Sequence, residues 1–130
     1  MIDFQQYKVY SAERRAFAEH NNLMSWREAA VLTREWAKVW GIELRAINVL
    51  SENSKWGGQA SPWNKSICYP SRGATRWIIA HELAHHLAND RHGPVFCAWY
   101  LRLVQNHIGK YADETLRKEM IKEGVQIGTL

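Results

Sequence analysis

Apolar positions recur at helical spacing along most of this chain, and they alternate in only one stretch. Residues 11–20 (SAERRAFAEH) are strong helix formers, closed by Asn21 and Asn22. Ser25-Trp26-Arg27-Glu28 is a capping box, S-x-x-E, and predicts a second helix. Its apolar side runs through Ala29, Leu32, Trp36, Val39 and Trp40, and Gly41 suits the position just past its end. Residues 42–50 (IELRAINVL) alternate through Ile42, Leu44 and Ala46 before the register blurs, which predicts a strand. Residues 51–58 are polar and contain glycine, so a loop is expected there. Two short extended pieces follow, near residues 58–61 and 66–69, joined around Pro62-Trp63-Asn64-Lys65.

Pro70, Ser71 and Gly73 break the chain before the best-defined helix, residues 74–88 (ATRWIIAHELAHHLA). Gly93-Pro94 ends any continuation, and proline favours the first turn of a new helix, expected to run from Pro94 to about His107. A last amphipathic helix is expected over residues 113–123, with Leu116, Met120 and Ile121 inward and Gly124 as the stop. No repeat, linker or low-complexity stretch interrupts the order, so residues 1–130 read as a single α+β domain: a small mixed sheet packed on a central helix, with further helices.

Composition narrows the class. With 130 residues, 46% hydrophobic and 23% charged, the chain is of ordinary globular type and can bury one modest core. Seven tryptophans supply large buried areas without disulfides. No apolar run is long enough to span a membrane, and no basic segment precedes an apolar one at the start, so neither a membrane span nor a secretory signal is expected. Cys68 and Cys97 are too few and scattered for a disulfide framework, and a reducing, cytoplasmic location with free thiols fits best. A monomer is expected. The net charge of +4 is mild, but its distribution is uneven. Between Glu52 and Glu82 there is no acidic residue, whereas Lys55, Lys65, Arg72 and Arg76 fall there, interleaved with Trp56, Trp63, Tyr69 and Trp77. That mixture suits a nucleic-acid groove, but a solvated hairpin with a few buried rings is the plainer reading.

The central helix carries the chemistry. His81-Glu82-Leu83-Ala84-His85 is an H-E-x-x-H motif. Residues i and i+4 stand one turn apart on one face, with Cβ atoms about 5–6 Å apart, so two imidazoles can converge on one ion. Glu82 lies about 100° round the helix from His81, where it can reach a water on the metal without being a ligand. Zinc lowers the pKa of such a water, and the carboxylate takes its proton as it attacks a carbonyl. The alternative is a chance pair on an exposed helix. Against it, Trp77, Ile78, Ile79 and Leu83 make this a buried helix, on which unliganded histidines would be desolvated at a cost. A catalytic zinc takes a third protein ligand. His92, in Arg91-His92-Gly93-Pro94, is the best candidate, since a turn past the helix end can return it to the metal. Asp90, Glu114 and Glu119 are the other candidates. His86 points away from His85 and suits an outer role, and His20 and His107 read as structural or surface residues.

HELAHHL followed by HGPVF resembles the SprT-like zincin metalloproteases, in which H-E-x-x-H is followed by a third histidine in an H-G-P-x-F segment. The matching positions are His81, Glu82 and His85, then His92, Gly93, Pro94 and Phe96. With VYSAE near the start and LR…EGV near the end, the chain is similar to small SprT-like metallohydrolases of actinobacteria and their phages. The resemblance implies a minimal zincin fold, one Zn2+ per chain held by His81, His85 and His92, and peptide-bond hydrolysis with Glu82 as catalytic base. It also implies an edge strand beside the active helix that aligns a protein or peptide substrate, for which Gly58, Gln59, Ala60 and Ser61 are the candidates. Many zincins add a side chain that holds the oxyanion, and Tyr100 and Tyr111 lead a set that also includes Tyr69 and His107. Larger SprT-like proteases act on proteins crosslinked to DNA, but the four-cysteine zinc ribbon that often accompanies them is missing here. Two rivals stand beside the protease: a zincin-fold module that binds nucleic acid or a protein partner, and a metal hydrolase of non-protein amides.

Overall fold

The computed structural model of the chain describes residues 3–50 and 57–130. Among them are five α-helices and one three-stranded mixed sheet, so the α+β expectation holds. The chain divides into two compact units, Asn22–His86 and a unit made of Met1–Asn21 with Leu87–Leu130.

In the first unit, α2 (Trp26–Val39) starts where the capping box predicts, with the Ser25 hydroxyl accepting from Glu28 N at 3.2 Å. Gly41 follows it with φ of 68°, as a left-handed stop requires. The apolar side is narrower than its spacing suggests. Ala29, Trp36 and Ala37 are buried, but Val39 is exposed in the last turn. The strand β1 (Ala46–Leu50) is shorter than expected: residues 42–44 alternate without joining the ladder. Ile47, on the opposite parity, is the buried residue, which accounts for the blurred register. β2 (Gln59–Ser61) and β3 (Ser66–Pro70) appear where the two extended pieces were expected, joined by a 3-10 turn at Pro62–Asn64. The strand order is β1-β3-β2, with β1 parallel and β2 antiparallel to β3. The centre of the sheet is β3, where Ile67 and Tyr69 are fully buried. Tyr69 shares a hydrogen bond of 2.8 Å with Thr33 of α2, which ties that helix to the sheet.

The entry to α3 (Arg76–Leu87) depends on one glycine. Gly73 has φ of 104°, and a Cβ there would lie 1.8 Å from the Met24 carbonyl oxygen. That close approach lets Ala74 pair with Met24, and Thr75 then caps the helix by accepting from Ile78 N at 3.3 Å. Residues 79–84 are all buried, so α3 has no solvent face over its middle.

In the other unit, α1 (Gln6–Ala16), α4 (Pro94–His107) and α5 (Lys110–Lys122) pack around Val9, Phe96, Leu101, Leu103, Leu116 and Met120. Burying each such side chain contributes about 1.5–3 kcal/mol. Two helices start earlier than the sequence suggests. α1 begins at Gln6 rather than near residue 11, because Val9 and Ala12 add to its buried face. α5 begins at Lys110 rather than 113, directly after Gly109 with φ of 146°. Ile121 is exposed, against expectation, while Leu116 and Met120 are buried. No helix among the described residues is long and apolar enough to cross a membrane.

Candidate metal centre

His81 and His85 occupy successive turns of α3, and their Nε2 atoms lie 3.3 Å apart. Two ligands of a tetrahedral zinc at about 2.0–2.1 Å stand about 3.3–3.4 Å from each other. The pair therefore stands at ligand spacing. His92 lies beyond the helix in the turn before α4. One ring nitrogen from each of His81, His85 and His92 completes a group whose ligand atoms all lie within 4.8 Å of one another. His81 and His92 are buried and His85 is half-buried. Three imidazoles gathered in this way could hold a metal ion.

The turn that carries His92 has a local cause. Arg91 adopts φ of 57°, in the left-handed region that few side chains enter. Asp90 compensates at the start of α4: its two carboxylate oxygens accept from Val95 N at 2.8 Å and Phe96 N at 2.9 Å. Gly93 is needed beside it, since a Cβ there would meet Asp90 Oδ2 at 2.5 Å. Asp90 thus acts as a helix cap. Glu114 and Glu119, the other rivals for the third ligand, form ion pairs with Lys110 and Lys122 along α5. His86 is half-buried, with Nε2 at 3.1 Å from the Ser66 carbonyl oxygen, and burial pushes its pKa down. It docks α3 on β3.

Glu82 is buried on α3 and approaches the chain just before β2. A Cβ on Gly58 would stand 3.0 Å from Glu82 Oε2 and 3.1 Å from its Cγ. Glycine at this position leaves the carboxylate its space. The charge on Glu82 also reaches β3. Burial is the main reason that the Cys68 thiol and the Tyr69 hydroxyl hold their protons above the usual range, and Glu82 adds to both effects. Gln59–Ser61 forms β2 as expected, and among the described residues it pairs only with β3, leaving its outer side as a sheet edge.

The candidate oxyanion partners lie on β3, α4 and α5. Tyr100 is fully buried in α4 and its hydroxyl donates to Glu13 Oε2 at 3.1 Å. Tyr111 is exposed on α5, Tyr69 is engaged by Thr33, and His107 is half-buried, with its pKa lowered by that burial. The basic-aromatic stretch is less basic than its sequence suggests. Lys65 pairs with Glu43 at 2.6 Å, an acidic partner that lies outside the segment, and this holds the Glu43 carboxyl below its ordinary pKa. Tyr69 is core, Trp63, Arg72 and Arg76 are exposed, and Lys55 and Trp56 fall outside the described residues. Both cysteines are free thiols.

Sequence reasoning missed the residues that hold His92. Asp3 Oδ2 lies 2.7 Å from His92 Nδ1, and Gln5 Nε2 donates to the His92 carbonyl oxygen at 3.0 Å. Neither has a local signal, because each contact spans most of the chain. In comparisons with known proteins, the chain matches no protein-family model, no curated protein and no solved structure.

Proposed function

We propose that this chain is a zinc-dependent metallohydrolase of the SprT-like zincin type that cleaves peptide bonds. The observation that carries this reading is the histidine group: two Nε2 atoms 3.3 Å apart on one helix, a third histidine nitrogen within 4.8 Å, and Glu82 beside the first ligand. His81, His85 and His92 would hold the ion. When bound, zinc supplies a Lewis acid that polarises the scissile carbonyl and acidifies water. Glu82 takes the proton from the attacking water and returns it to the leaving amine nitrogen. Its burial keeps bulk water away from that proton transfer, and Gly58 keeps a neighbouring side chain from displacing the carboxylate. Among the described residues β2 is an edge strand, and such an edge suits an extended peptide.

Elemental analysis of wild type and His92→Ala, purified side by side, tests the reading. Wild type is expected to hold about one zinc per chain and the variant to lose it. A wild-type protein that is metal-free and cannot be loaded would remove the hydrolase and bring a binding role for the basic-aromatic stretch to the front.

A further inference from the structure

His92 is held on several sides by the segment around it and by the start of the chain. Its side chain is only 8% exposed, and Nδ1 lies 2.7 Å from Asp3 Oδ2, itself 12% exposed. The ring meets Tyr10 edge-on at 5.1 Å between centroids and Phe96 at 5.0 Å. The main chain is held as well. The His92 carbonyl accepts from Gln5 Nε2 at 3.0 Å, and the Cys97 thiol lies 3.7 Å from the same oxygen. Gln5 is locked in turn, since its Oε1 accepts from Gln126 N at 2.6 Å and its Nε2 donates to Gln126 O at 3.1 Å.

We infer that Asp3 is a positioning residue for the metal centre: it holds the proton of His92 on Nδ1, and so turns the Nε2 lone pair into the ligand. The inference rests on His92 being a metal ligand, as proposed above. A carboxylate oxygen 2.7 Å from Nδ1 suits the Nδ1–H tautomer, in which Nδ1 donates and the ring carries its lone pair on Nε2. A free neutral imidazole has no such constraint. A partner of this kind changes metal affinity by about 10–100-fold. Tyr10 and Phe96 restrict the ring to one plane, so the tautomer is what remains for Asp3 to decide. The segment that contains Asp3 and Gln5 thereby becomes part of the third ligand, although it is 87 or more residues away in sequence.

The test begins on metal-free protein. In 15N-histidine NMR spectra of wild type, His92 is expected as the Nδ1–H tautomer, and Asp3→Ala is expected to shift it towards Nε2–H. Zinc affinity, measured by competition with a chelator, is expected to fall by about 10–100-fold in Asp3→Ala and to recover in part in Asp3→Glu. If Asp3→Ala does not fold, the near-isosteric Asp3→Leu, which has no acceptor, carries the same two readouts. An unchanged tautomer, or an unchanged zinc affinity alongside normal binding by wild type, overturns the positioning role. A tautomer that shifts while wild type binds no zinc overturns the metal reading itself, and the two failures are therefore told apart.

Discussion

The two histidines of α3 and the third on the turn before α4 reach their places by different physics. His81 and His85 need only a helix, because every residue and its fourth neighbour share a face. Their Nε2 separation of 3.3 Å follows from that repeat. His92 sits where no repeat operates. Its place requires a left-handed residue at Arg91, a cap from Asp90, and contacts from Asp3 and Gln5 near the other end of the sequence. The spacing of the helical pair is thus local in origin, whereas the position of His92 depends on long-range contacts.

The largest effect is expected from Glu82→Gln. It leaves all three histidines in place, so zinc content should stay at the wild-type level while peptide hydrolysis falls by about 10²–10⁴-fold. Full activity in that variant would falsify the catalytic assignment. Next comes Gly73→Ala, which attacks the entry to α3. With the Cβ placed 1.8 Å from the Met24 oxygen, the backbone must move, and a loss of about 2–4 kcal/mol is expected in urea unfolding. A loss below the error of the measurement would mean that α3 is not held at that point.

Gly58→Ala is expected to separate position from stability. Its Cβ would press on Glu82 Oε2 at 3.0 Å, so turnover should drop by about tenfold to a hundredfold with metal content unchanged. Equal turnover would show that the carboxylate tolerates displacement. On the side of the turn, Asp90→Ala removes the acceptor of two backbone N–H groups and should cost about 1 kcal/mol, with partial recovery in Asp90→Asn. If zinc affinity fell in that variant with no change in stability, Asp90 would belong to the metal set after all.

The smallest effect concerns the thiols. Burial, with Asp90, Glu13 and Asp3 adding negative charge, pushes the Cys97 thiol from 9.0 up to about 12. Cys97 should therefore be alkylated far more slowly than half-buried Cys68 at mildly alkaline pH. The unfolded chain loses this proton first, so the Cys97 contribution to stability declines as pH rises through 9.0 towards 12. Comparison of wild type with Cys97→Ala over that range reads it, and parallel curves would contradict the sign.

Much of the framework was legible because it is local. The S-x-x-E box placed the start of α2, Gly93-Pro94 placed the start of α4, and the turn residues Pro62-Trp63-Asn64-Lys65 placed β2 and β3 on either side. Legibility failed where the deciding partner is remote. The exposure of Val39 and Ile121 contradicts their helical phase, because the packed face ends before each residue does. Glu43 neutralises Lys65 across 22 residues and weakens the charge asymmetry seen along the chain. Tyr100 resembles an available hydroxyl until Glu13, 87 residues away, is seen to accept from it.

By itself, the sequence determined the α+β class, the helical pair His81 and His85, and the position of Glu82 beside them. These follow from backbone periodicity and capping, which act over a few residues. Only the tertiary structure decided that Asp90 caps rather than ligates, that Gly58 makes space for the Glu82 carboxylate, and that Asp3 meets His92. Each of these is a contact between segments that share no repeat, and such a contact is selected by packing after the chain has closed on itself.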